Sequence, residues 1–195
     1  MDDFIKDRDI HVDSEIDSEA TEPTKRMLTW AKNSTIYRLE RQMLSEHQLA
    51  QAIAKKARLK FTGITAPQVE ALVKHAVDFG HLVKALDDEN FAEVTTRSAL
   101  RAGKSRRQIK DKLKSKGIES ELISSAVEEV DDLHSAVIFA RKRRFGPFRR
   151  EEPDEKRKNK ELSALARAGF SFDISKRVYR MELTEAEELL SQQSL

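Results

Sequence analysis

Two runs of cationic side chains hold most of the chemistry that this sequence could perform. The first comprises Arg97, Arg101, Lys104, Arg106, Arg107, Lys110, Lys112, Lys114 and Lys116. The second comprises Arg141, Lys142, Arg143, Arg144, Arg149, Arg150, Lys156, Arg157, Lys158 and Lys160, with Phe145 and Phe148 set among them. Guanidinium forks match the oxygen pairs of phosphates and carboxylates. Aromatic rings beside such charges can stack on unpaired bases. The runs therefore suit a nucleic-acid backbone or an acidic protein groove. The competing expectation is a solvated charged face, and we read the two phenylalanines as core, where aromatic side chains usually belong. The candidate binding residues are Arg97, Arg101, Lys104, Arg106, Arg107, Lys110, Arg141, Lys142, Arg143, Arg144, Arg149 and Arg150.

Covalent and metal chemistry have little to work with. The six glycines form neither a GxGxxG turn nor a P-loop, so no glycine-rich phosphate cradle is expected. His11, His47, His75, His81 and His134 show no metal-binding spacing, and there is no cysteine to supply a thiolate or a disulfide. Asp87-Asp88 and Asp131-Asp132 stand where helices should open, and negative charge is favoured there by the helix dipole. No catalytic residue, metal or cofactor is expected. Residues 104–127 resemble a helix-turn-helix loosely. Their second helix carries Glu119, Glu121, Glu128 and Glu129 with no Lys or Arg, so it would repel the phosphates of a duplex. Base reading is not expected.

The elements that must position these charges are helices. Gly and Pro total only ten of 195 residues, and 36% of the chain is charged, a composition that suits helices and a thin core. Charge is also segregated. Residues 1–24 hold nine acidic and two basic side chains, which leaves the remainder at +9. An acidic tail on a basic body fits a nucleic-acid-associated or regulated protein, and equally a solubilising disordered segment. The acidic start lacks the order of a secretory signal, and no apolar run approaches a membrane span. A cytoplasmic monomer is expected.

Capping boxes are spelled out at Ser45-x-x-Gln48, Thr65-x-x-Gln68, Ser105-x-x-Gln108 and Thr184-x-x-Glu187. Gly80, Gly103, Gly117 and Gly169 follow apolar-periodic stretches as helix stops. Helices are predicted near 27–42, 45–60, 66–79, 88–102, 105–116, 120–130, 132–144, 155–168 and 172–182, with a short one after Thr184. Laying Gly117 on Gly169 superposes "LKSKGIESELISSAV" on "LARAGFSFDISKRVY". A third copy runs from Leu49 once an insertion near 58–65 is allowed. The expected fold is all-α, an elongated array of three tandem three-helix repeats behind a disordered acidic tail. The expected boundaries are a tail over 1–26, repeats over 27–86, 87–130 and 131–183, and a short helix with a tail over 184–195. The basic helix at 104–116 and the connector at 141–150 are expected at separate places along one long surface.

Three blocks carry a family resemblance: "LDDENFAE" at 86–93, "KLKSKGIESELI" at 112–123, and the long segment at 140–174 with its basic connector and Ala-Gly-Phe turn. In order and spacing they resemble the RecX family of recombination regulators, over residues 28–182. The resemblance implies a modulator of RecA that lies in the groove of the RecA filament on single-stranded DNA. It implies suppression of strand exchange and ATP turnover, in DNA repair and the SOS response, with direct DNA binding by some members. The alternative from another class is a helical DNA-binding module acting in transcription or nucleoid architecture.

Overall fold

A computed structural model describes residues 21–152 and 154–192. The expected acidic tail lies, up to residue 20, outside the described residues. Ten α-helices follow one another, with no strand among the described residues. They are α1 (Lys25–Leu39), α2 (Glu46–Lys60), α3 (Ala66–Leu82), α4 (Asp88–Arg101), α5 (Arg106–Ser115), α6 (Ser120–Ala126), α7 (Asp132–Arg143), α8 (Glu155–Arg167), α9 (Phe172–Arg180) and α10 (Leu183–Gln192). A single 3-10 turn, Gly146–Phe148, breaks the connector between α7 and α8.

The apolar residues collect in three separate clusters in chain order. Leu49, Ile53 and Ala57 of α2 meet Leu72 and Ala76 of α3 and Met27 and Ala31 of α1. There Trp30 and Phe61 pack edge to face, with centroids 5.3 Å apart. Ile109 and Leu113 of α5 join Phe91 and Ala99 of α4 and Ile123 and Val127 at the end of α6. Val137 and Ala140 of α7 join Leu165 of α8 and Val178 of α9. Each cluster is built from spacings of three and four, so each unit buries only one stripe per helix. Three small cores in series make an elongated array rather than one globule. The short helix expected in the C-terminal segment is α10, and it packs on the third unit. Ala186 is fully buried, and Leu189 and Leu190 pack against the third cluster.

Local signals account for most boundaries. Ser45 and Thr65 form complete capping boxes with Gln48 and Gln68. Thr24, Asp87, Ser105, Asp131, Asp154 and Ser171 cap their helices by accepting from backbone N–H groups. Three expectations need correction. Gly80 does not stop α3, which runs on to Leu82; the glycine is needed for space, because a Cβ there would sit 3.1 Å from that of Leu86. Thr184 is no cap, since α10 already starts at Leu183. Helix α6 closes at Ala126 rather than 130, as the chain turns through Val127 and Val130 to bury both valines. The insertion near 58–65 is added helix: α2 has 15 residues where α5 has 10, and both reach a positive-φ glycine, Gly63 and Gly117.

Successive units are joined by one repeated set of bonds. Ser45 Oγ donates to the Lys116 carbonyl at 2.6 Å while it accepts from Gln48 N–H. One unit later, Ser105 Oγ donates to the Ala168 carbonyl at 2.7 Å while it accepts from Gln108 N–H. The residue after each serine also donates its free first-turn N–H to the next unit: Glu46 to Asp88 Oδ1 at 2.8 Å, and Arg106 to Asp132 Oδ1 at 2.6 Å. Helix ends leave such groups without internal partners, and here the neighbouring unit supplies them. Burial pushes the Asp88 carboxyl above the usual range, although the bond from Glu46 opposes that shift.

Gly117 and Gly169 fill the same place in the two junctions. Both have positive φ, +77° and +90°. In each, the following residue donates back to a carbonyl five residues earlier, Ile118 to Leu113 and Phe170 to Leu165. A side chain at Gly117 would overlap the Cβ and Cγ of His47, and one at Gly169 would come within 2.5 Å of Ser105 Oγ. Gly117→Val is therefore expected to destabilise the middle unit by about 1 kcal/mol or more through the left-handed backbone alone, and to open the first junction as well. An unchanged melting temperature would contradict this. Ser105→Ala should cost about 2 kcal/mol, from a lost cap and a buried carbonyl left without its donor. Chemical denaturation measures it, and a loss below about 0.5 kcal/mol, the size of an ordinary surface change, would mean that water replaces the bond.

Candidate partner interface

The cationic residues are set out by α4, α5, α7 and the connector. Helix α4 ends in Arg101, with Arg97 one turn earlier, and its Gly103 turn presents Lys104. Ile109 and Leu113 are fully buried, which turns Arg107 and Lys110 of α5 outward. Helix α7 ends in Arg141, Lys142 and Arg143, and Arg144 closes it with a φ of +57°. Cations at these helix ends also offset the negative end of the helix dipole, a role they fill without any partner.

The two runs do not lie apart. Lys142 Nζ donates to the Arg101 carbonyl at 3.1 Å, bringing the ends of α4 and α7 together. The backbone of Phe139 and Ser135 lies against Gly103, so α7 crosses directly over the α4–α5 turn. Arg101, Lys104, Lys142 and their neighbours thus belong to one surface that spans the middle and third units. Tertiary packing produces that adjacency, and spacing along the chain could not have given it.

Two of the twelve candidates are held inside the fold. Arg106 donates through Nη2 to the Val130 carbonyl at 2.6 Å and to the Glu128 carbonyl at 3.3 Å, tying α5 to the α6–α7 connection. Arg149 is more deeply engaged. Its guanidinium donates to both carboxylate oxygens of Glu161 and to the Tyr179 carbonyl, and lies 4.3 Å over the Tyr179 ring. The Glu161 side chain is 1% exposed and that of Arg149 is 16% exposed. Glu161 accepts further from Gly146 N–H at 2.9 Å and from Arg157 Nε at 3.4 Å. A buried carboxylate thus anchors the connector, and the only sequence sign of it was an acidic residue within a basic helix.

The remaining candidates face solvent: Arg97, Arg101, Lys104, Arg107, Lys110, Arg141, Lys142, Arg143, Arg144 and Arg150. Arg143 stands 4.9 Å over the Phe139 ring, which fixes its direction. Phe145 and Phe148 are half-buried against the third cluster, as core packing requires. Both rings keep part of their surface in solvent, and Phe145 lines an open hollow with Arg143 and Arg157. Arg141 also acts on His134, whose imidazole is held below its ordinary range first by burial and then by that guanidinium, against the pull of Asp131. Among the described residues, no group of His, Asp and Glu side chains could hold a metal ion, and no helix is long and apolar enough to cross a membrane.

Fold and surface together define a class: a tandem array of small helical units, coupled end to end, with cations displayed across adjoining units. Residues 87–127 match the family model described as RecX, second three-helix domain. The chain is 54% identical over 175 residues to Regulatory protein RecX of Agrobacterium fabrum (strain C58 / ATCC 33970), covering 90% of this chain and 95% of that one. It is 35% identical over 167 residues to Regulatory protein RecX of Myxococcus xanthus (strain DK1622), covering 80% and 87%. The crystal structure of RecX from Lactobacillus salivarius superposes with a TM-score of 0.62 at 18% identity, over 85% of this chain and 99% of that one. The chain belongs to the RecX family of regulatory proteins.

Proposed function

We propose that this protein binds RecA and RecA–single-stranded DNA filaments in the cytoplasm and inhibits ATP hydrolysis and strand exchange, within DNA repair and the SOS response. The observation that carries the reading is the coupled row of units with exposed Lys and Arg at adjoining helix ends. A helical filament offers the same contact at regular steps, and a rigid row of units can meet several steps at once. Linked contacts then raise one another's effective concentration. The solvent-facing candidates would pair with acidic groups of the filament or with phosphates of its DNA, while Arg106 and Arg149 keep the units in shape. No catalytic residue, metal or cofactor enters this mechanism, and a monomer suffices.

The test is a pull-down of the protein on three matrices: preassembled RecA–DNA filaments, RecA alone, and naked single-stranded DNA. Retention on filaments well beyond that on naked DNA is expected. Equal retention on filaments and naked DNA, with none on RecA alone, would replace this reading with a helical DNA-binding module acting in transcription or nucleoid architecture. Because exposed charges are screened within about 10 Å at 0.1 M salt, filament retention should fall as salt rises. Salt-independent retention would show that the basic surface plays no part.

A further inference from the structure

The middle unit carries a second surface of opposite sign, which includes one of the candidate cations, Arg97, on its rim. An open groove of about 470 Å³ runs between α4 and the end of α6. Its floor is two stripes of four-residue spacing, Ala92-Thr96-Leu100 from α4 and Leu122-Ala126-Val130 from the α6 side. Its rim carries Glu89 and Glu93 on one side and Glu128 and Glu129 on the other, against one cation, Arg97. None of those four carboxylates has an ion-pair partner among the described residues. A neighbouring hollow shares Glu89 and Leu122 with the groove and is of mixed charge, lined by Asp87 and Asp88 together with His81 and Lys84.

The floor also holds an unanswered hydrogen-bonding group. Thr96 is 5% exposed, and its Oγ1 has no partner. A buried hydroxyl without a partner is uncommon in a folded protein and costs stability. Two apolar ridges with a groove between them are the shape into which a third helix packs. Unpaired carboxylates on both rims select the charge of that helix and would repel nucleic-acid phosphates.

We infer that this groove docks a cationic amphipathic helix of a partner protein, its apolar face on the partly exposed Leu100, Leu122 and Ala126 and its Lys or Arg side chains on the glutamate rims. On the functional reading above, on which this inference rests, the helix belongs to RecA. The chain then meets the filament by two surfaces of opposite charge, which fixes its orientation as one surface alone would not.

Two variants probe the groove. Glu93→Lys with Glu129→Lys reverses exposed rim charges, and Ser125→Trp blocks the cleft from an exposed position without altering charge. Glu187→Lys with Glu188→Lys on exposed positions of α10 controls for net charge. Binding to RecA without DNA, to RecA–DNA filaments and to naked single-stranded DNA would be measured for each, with circular dichroism to confirm folding. Both groove variants should lose at least about tenfold in affinity for RecA in both forms, the charge reversal on the scale of losing one or two close charge pairs and the tryptophan by filling the cleft. Naked-DNA affinity and the control variant should remain at the parent's level. Groove variants that bind RecA like the parent would overturn the inference and leave the functional reading intact. Equal losses on naked DNA would also overturn it, by making the groove part of a nucleic-acid surface. A parent protein that binds RecA in neither form would overturn both.

Discussion

Replacing Glu161 by Ala should cost the third unit about 3–5 kcal/mol, the usual scale of removing one partner from a buried ion pair. The Glu161 carboxylate is 1% exposed and receives hydrogen bonds from Arg149, Arg157 and the Gly146 N–H. Without it, a guanidinium wedged between Tyr179 and the connector has no anion, and the 3-10 turn loses the acceptor that pins its first residue. Arg149→Ala should cost less, because Arg157 remains near the stranded carboxylate at 3.4 Å. Chemical denaturation followed by circular dichroism gives the magnitudes. The single tryptophan, Trp30, sits against the first core and reports on that unit separately, so its transition should move less than the helical signal. A Glu161→Ala loss under about 1 kcal/mol would show that water reaches the carboxylate site.

The largest effect on binding is expected from neutralising the surface where α4 and α7 end. Changing Arg101, Lys104, Arg141, Arg143 and Arg144 to Gln removes five exposed cations while keeping helix propensity high. Each lost phosphate contact with a single strand should reduce the salt slope by about 0.7, so affinity for naked single-stranded DNA at low salt should fall at least about a hundredfold. Fluorescence anisotropy over a salt series reads both quantities. An unchanged slope would mean that these side chains are merely solvated. Arg106 and Arg149 are left out of that variant deliberately, since their bonds to Val130 and Glu161 would confuse loss of binding with loss of fold.

Much of this architecture is written locally. Ser45, Thr65 and Ser105 with Gln48, Gln68 and Gln108 announce helix starts because a cap needs only residues three positions apart. Gly117 and Gly169 are legible for a similar reason, since a left-handed helix stop is a property of one residue. Gly80 carried the same signal but answers a different need, the close approach of Leu86, which only the folded chain reveals. The junction bonds were hidden likewise: Ser45 reaches Lys116 and Ser105 reaches Ala168, 71 and 63 residues along the chain. Among the cations, sequence could count charges but could not separate Arg149, buried on Glu161, from Arg150 beside it in solvent. It could not bring Lys142 to Arg101 either, because that neighbourhood arises where α7 crosses the Gly103 turn.

The proposed restraint of RecA on single-stranded DNA can be read from the rate of ATP hydrolysis by preassembled RecA filaments as the protein is added. The rate should fall progressively with added protein, and the variant lacking five surface cations should need far more protein for the same inhibition. A rate that stays constant under conditions where the protein demonstrably occupies the filaments would contradict it.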